Sequence, residues 1–190
     1  VIELLFLFDQ KIFLILNSWN ANWLNPIMIF LSGKIVWIPF IILGLLFSFR
    51  NMEKRNFYVF LLFISLAIIA SDVTSSYIIK NLVQRLRPCR LGELKPFIHH
   101  FGQKCGGKYG FISSHAANAF CLITYFLTVF KKKSLRYSLL WLLPFLVSYS
   151  RIYLGVHYPL DLIGGSVVGI SWGMTMGGLV RSFVLRSKPT

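Results

Sequence analysis

Acidic side chains are scarce in this chain: Asp and Glu total 6 against 20 Lys and Arg, a formal net charge of +14 over 190 residues. No cluster of carboxylates, His or Cys has the ligand set of a catalytic metal site, so neither a metal nor a cofactor is expected. Linkers, low-complexity tracts and internal repeats are also lacking, and residues 1–190 read as one domain. Glu3 stands in the first turn, where a secretory signal would carry basic residues, so the N-terminus is read as part of the mature fold. What is plentiful is apolar surface. At 56% hydrophobic and 16% aromatic residues, the chain has more than one soluble core of this size can bury, which places it in a membrane. The cationic surplus calls for an anionic partner, and in so apolar a chain the phosphate of a membrane lipid fits better than nucleic acid. Nothing calls for a protein partner.

Apolar runs over 35–49, 57–79, 113–130, 135–150 and 160–184 are predicted as membrane-spanning helices. A hydrocarbon core of ~30 Å needs roughly 20 helical residues, so the second and fifth are comfortable and the others must borrow flanking residues. The segment 2–16 alternates apolar runs with Glu3, Asp9 and Lys11, and fits an interfacial amphipathic helix, with a sixth span left open. The expected fold is therefore all-α, a polytopic membrane bundle of five or six spans. Basic connectors at 50–55 and 131–136 and the tail 181–188 share one side, which the positive-inside rule makes cytoplasmic. Trp19, Trp23, Trp37 and Trp141 fall near span ends, as interfacial aromatics do. Gly165, Gly169, Gly173 and Gly177 recur every four residues, a face on which a neighbouring backbone can approach closely.

Three polar clusters fall at span ends on the opposite, outer side. They are Lys80-x6-Arg87-Pro88, Ser113-Ser114-His115, and Ser150-Arg151-x5-His157-x3-Asp161. Bringing Lys80, Arg87 and Arg151 together is costly unless an anion neutralises them. Two guanidiniums and an ammonium suit phosphate oxygens, and backbone N–H groups around Ser113 and Ser114 can complete the cradle. A neutral imidazole can attack phosphorus when its other nitrogen is held by a carboxylate, and Asp161 lies one helical turn from His157. His115 is left to protonate the leaving alkoxide and then to activate water.

These clusters resemble the three signature motifs of the type-2 phosphatidic acid phosphatase superfamily, and the resemblance spans Lys80 to Asp161. It implies a helical fold and metal-independent removal of phosphate from a lipid through a phosphohistidine. By the same match, Lys80, Arg87 and Arg151 bind phosphate, Ser113 and Ser114 lie on the phosphate loop, His115 is the acid, and His157 with Asp161 is the nucleophile pair. The second motif departs from the family's Pro-Ser-Gly-His, reading Ile112-Ser113-Ser114-His115. Short bacterial members suggest lipid A phosphate as substrate, with undecaprenyl diphosphate and phosphatidylglycerophosphate as alternatives, acted on at the periplasmic face of the inner membrane. A reading of another class is a carrier that binds anions without cleaving them, but such a site gains nothing from a carboxylate-held imidazole.

Asp72, inside the second span, is expected to steady Lys80 or Arg87 from behind. His99, His100 and Asn118 are assigned no chemistry. Cys89 and Cys105 share the outer loop, where a disulfide and two free thiols are both open, and Cys121 is expected to be a buried thiol.

Overall fold

The computed structural model describes residues 2–33, 35–101, 105–130 and 135–185, and apart from one isolated β-bridge these residues form helices, turns and loops. The helices are α1 (Ile2–Ser18), α2 (Asn25–Ser32), α3 (Trp37–Asn51), α4 (Lys54–Asp72), α5 (Lys80–Val83), α6 (Ser114–Phe130), α7 (Leu135–Ser138), α8 (Leu142–Tyr153) and α9 (Pro159–Leu185). A π-helical stretch, Val73–Ile79, joins α4 to α5 without a break. Lys34, most of the connector at 131–136 and the end of the basic tail lie outside the described residues.

The expected five spans are not reproduced as five long helices. Among the described residues two helices, Lys54–Val83 and Pro159–Val184, are long and apolar enough to cross a membrane. A third crossing is available if Asn22–Ser32 and Trp37–Asn51, bent by 47°, act as one span. The reason is length: α6 has 17 residues and α8 only 12, about 26 and 18 Å at a rise of 1.5 Å per residue. The run 135–150 was read as one helix, but it divides into α7, a 3-10 turn and α8. Large apolar side chains such as Leu43, Leu62, Phe145, Val167 and Phe183 point outward, the arrangement of a bundle surrounded by hydrocarbon.

α6 and α9 form the tightest seam. A Cβ at Gly165 would lie 2.5 Å from the Ser113 carbonyl oxygen, and one at Gly173 would lie 2.6 Å from that of Cys121. At Gly169 the added carbon would collide with the Ala117 carbonyl. The four-residue glycine spacing thus does what it was expected to do, and the helix it admits is the one that begins with the second motif. Ile112, standing where the family has proline, is buried against Gly164. Cys121 is a buried thiol on the same seam.

The N-terminal helix differs from a simple amphipathic one. Leu4, Leu7, Phe8 and Ile15 are exposed, whereas Asp9, Phe13 and Asn17, spaced four apart, are buried against the bundle. Polar groups can turn inward here because each meets a partner. Asn17 exchanges hydrogen bonds with the backbone of His99 and donates to the carbonyls of Ile152 and Tyr153. Trp19 and Trp23 are exposed, while Trp37 and Trp141 pack on core clusters.

Candidate active site

The third motif wraps the turn between α8 and α9. Arg151 lies in the last turn of α8, Gly155 takes a positive φ of 71° that reverses the chain, and Pro159 opens α9 where its missing N–H costs nothing. His157 is therefore held in a short, fully packed connector, 1% exposed, and Asp161 sits in the first turn of α9 with no exposure. His157 Nδ1 is 3.2 Å from Asp161 Oδ2, which also accepts the Tyr158 N–H at 3.0 Å.

The other ring nitrogen faces Arg87, whose Nη1 lies 3.1 Å from His157 Nε2. A guanidinium can only donate, so Nε2 must offer its lone pair and the proton must sit on Nδ1, directed at Asp161. Geometry thus selects the tautomer in which the outward nitrogen is nucleophilic. Burial holds the imidazole well below its ordinary pKa of 6.5, and Arg87, Arg151 and Lys80 push it the same way, against a hydrogen bond to the Gly110 backbone carbonyl. Arg87 is itself buried, its Nε donating to the Tyr109 carbonyl at 3.1 Å.

The first and second motifs meet through Lys80, whose Nζ lies 3.0 Å from Ser114 Oγ. Lys80 follows the π-helical stretch, whose wider turn re-aims the residues after it, a feature that recurs at functional sites. Arg151 Nη1 donates to Ser32 Oγ on α2, a helix the sequence did not announce. His115 stands in the first turn of α6, half-buried.

The phosphate loop is not arranged as the sequence suggested throughout. The Ser113 amide donates to the Asp161 carbonyl at 2.8 Å, and its hydroxyl faces the Ala116 amide at 3.5 Å as a helix cap. Ser113 therefore welds the second motif to the third, while Ser114 faces Lys80. Ser114 begins α6 without a positive φ, since Gln84 is the one non-glycine residue with a positive φ among those described. A serine can thus stand where the family has glycine.

Asp72 interacts with Lys80 through its charge, while its direct bonds go elsewhere. Its Oδ1 accepts Asn118 Nδ2 at 3.1 Å and Ser76 Oγ at 3.4 Å, and it makes no hydrogen bond or ion pair with Lys80 or Arg87 among the described contacts. These partners lie on the π-helical stretch and on α6. His99 and His100 bond Asn25 and the Leu154 carbonyl, so both are part of the scaffold behind the third motif.

Sequence reasoning missed several residues that shape the site. Gly110 packs where a Cβ would lie 3.0 Å from Asp161 Oδ2 and 3.2 Å from Arg87 Cγ. Arg85 ion-pairs with both Asp9 and Asp161. Of the two states left open for Cys89 and Cys105, the structure has the disulfide, with Cα atoms 5.9 Å apart, and Arg90 Nη2 bonds the adjacent Gly106 carbonyl at 2.7 Å. These ties fix the loop that carries Arg87. Among the described residues no group of three or more His, Cys, Asp or Glu is placed to hold a metal ion.

A family model described as the PAP2 superfamily matches residues 57–183. The lipid A 4'-phosphatase of Bacteroides thetaiotaomicron is 31% identical over 171 residues, 89% of this chain and 75% of that protein. An undecaprenyl-diphosphatase of Sulfolobus acidocaldarius is 33% identical over 175 residues, 87% of this chain and 74% of that protein. The crystal structure of Aquifex aeolicus LpxE superposes with a TM-score of 0.63 at 26% identity, covering 88% of this chain and 93% of the other.

Proposed function

The chain belongs to the PAP2 superfamily, and from that premise we propose that it is an integral membrane phosphatase acting on a phosphorylated lipid through a phosphohistidine on His157. The observation that carries the reading is the polarised imidazole, with Nδ1 directed at Asp161 and the Nε2 lone pair facing Arg87. In this mechanism the arriving phosphate takes over the hydrogen bond that Arg87 Nη1 now makes to Nε2. Arg87, Arg151 and Lys80 then neutralise its oxygens, with Ser114 beside Lys80 and Ser113 setting the spacing between loop and nucleophile. Nε2 attacks phosphorus as the ester bond to the lipid oxygen breaks. His115 gives that oxygen its proton, and then takes one from the water that cleaves the phosphorus–nitrogen bond. Asp72 supports this set through Asn118 on α6. Every step uses side chains of this chain, so hydrolysis is expected to persist in EDTA and to be inhibited by vanadate. Loss of activity on chelation, restored by zinc or magnesium, would overturn metal independence.

The substrate best supported is the phosphate of lipid A, given the similarity to the Bacteroides enzyme. The similarity to an undecaprenyl-diphosphatase favours undecaprenyl diphosphate as the second reading, since the same chemistry serves monoester and diphosphate. The whole of residues 1–190 is read as one membrane domain of five spans, with α6 and α8 completed by flanking residues. The site faces the periplasm across the inner membrane, in keeping with the Cys89–Cys105 bond in the loop beside Arg87. Phosphate release from purified protein given lipid A, undecaprenyl diphosphate, phosphatidylglycerophosphate and phosphatidic acid tests the reading. Release from lipid A above the others is expected, and release from none of them would sink the phosphatase reading.

A further inference from the structure

Arg85 occupies an unspecified position inside the first motif, yet it ion-pairs directly with the carboxylate that faces His157. Its Nη1 lies 3.3 Å from Asp161 Oδ1 and 2.6 Å from Asp9 Oδ2, and its side chain is 9% exposed. The guanidinium is sandwiched, 3.9 Å from the ring centroid of Tyr158 and 4.5 Å from that of Phe6. Its backbone is held as well, since the Gly110 amide donates to the Arg85 carbonyl at 2.8 Å. Asp9 completes the arrangement from α1, its second oxygen accepting the Leu160 N–H at 2.9 Å in the first turn of α9.

Asp161 Oδ2 is occupied by His157 and the Tyr158 amide, so Oδ1 is bonded by Arg85. A carboxylate buried to this degree stays charged and fixed only when its oxygens are satisfied and its charge is answered. We infer that Arg85 is a positioning residue for the nucleophile pair: it holds the Asp161 carboxylate in the plane and place that keep the proton on His157 Nδ1, and Asp9 holds Arg85 there. The N-terminal helix, expected to lie at the interface, thereby becomes part of the machinery. Arg85 is engaged by two carboxylates and two rings, so it acts on rate and leaves phosphate binding to Arg87, Arg151 and Lys80.

This inference rests on the phosphohistidine reading, and its test separates the two. Phosphate release and phosphorylation of His157 are measured on lipid A and on undecaprenyl diphosphate for wild type, Arg85→Gln, Asp161→Asn and the double variant. Arg85→Gln is expected to lower kcat by about 10–100-fold, within the range by which such acid–base arrangements act, with KM changed less than about 2-fold. In the Asp161→Asn background the same substitution should cost less than about 2-fold, because the group through which Arg85 acts is gone. Asp9→Asn should lower kcat in the same direction by a smaller factor. Full kcat in Arg85→Gln, a rise in KM alone, or an undiminished loss on top of Asp161→Asn would overturn the positioning role. If Arg85→Gln does not fold, the cycle is run with Arg85→Met, which fills the space between Phe6 and Tyr158 without a donor for either carboxylate, and the same outcomes decide. A wild type that hydrolyses neither lipid and forms no phosphohistidine defeats the underlying reading instead.

Discussion

Asp161 and Asp72 are two carboxylates carried by long apolar helices, and their surroundings differ in kind. Asp161 is fully buried and bonded by an imidazole, a backbone amide and a guanidinium. Asp72 is half-buried and bonded by a carboxamide and a hydroxyl, both neutral. One carboxylate bonds charge directly, between Arg85 and the His157 imidazole, and the other bonds neutral groups and meets Lys80 only through its field. A carboxylate inside a membrane helix is therefore not by itself a sign of chemistry, and its partners decide what it does.

The comparison is broken most directly by neutralising each carboxylate in turn. Asp161→Asn keeps the shape but lets the amide donate toward His157, favouring the wrong tautomer. Turnover is expected to fall by about 10²–10⁴-fold, measured as phosphate release from lipid micelles. Asp72→Asn leaves a group that can still pair with Asn118 and Ser76, and is expected to cost less than about 10-fold in the same assay, within the lower end of what such supporting groups supply. Equal losses from the two would erase the distinction drawn here.

A gentler probe is pH. The Asp161 carboxylate is tied to an imidazole held well below 6.5, whereas nothing bonded to Asp72 titrates near neutrality. The folded state leaves His157 neutral as pH falls, while the unfolded chain takes up a proton near 6.5. Stability is therefore present above that value and lost below it, by about 1.4 kcal/mol for each further pH unit until the folded pKa is reached. The thermal midpoint of wild type should fall more between pH 7.5 and 5.5 than that of His157→Asn. Parallel declines would mean that His157 charges as readily in the fold as out of it.

Much of the site was legible because phosphate chemistry restricts residue type: cations to grip, an imidazole to attack, a carboxylate one turn away. His157 with Asp161, and Lys80 with Ser114, are brought together as those residue types suggested. The glycine face of α9 was legible for a similar reason, since a four-residue period has one structural use. Arg85 was not, because its partners Asp9 and Asp161 each lie 76 residues away in the chain and no local pattern couples them. Asp9 was read as a polar interruption of a greasy helix, when burial against Arg85 and the start of α9 is what gives it a place. The role of Ser113 turned on a backbone bond to Asp161 that residue types cannot announce. Five long helices were not reached for a different reason: apolar runs show what hydrocarbon tolerates, while helix lengths depend on local geometry such as the 3-10 turn before α8 that composition does not mark.

The central claim, that Nε2 of His157 carries the phosphoryl group, is tested most directly by trapping it. Wild type and His157→Ala are mixed with lipid A bearing labelled phosphate and quenched within milliseconds in alkaline detergent, where a phosphorus–nitrogen bond survives, and the peptides are mapped. Label on the peptide containing His157 in wild type, and none there in the inactive variant, is the result this account requires. A wild type that turns over the lipid while its His157 stays unlabelled, or a folded His157→Ala variant with undiminished activity, would contradict it.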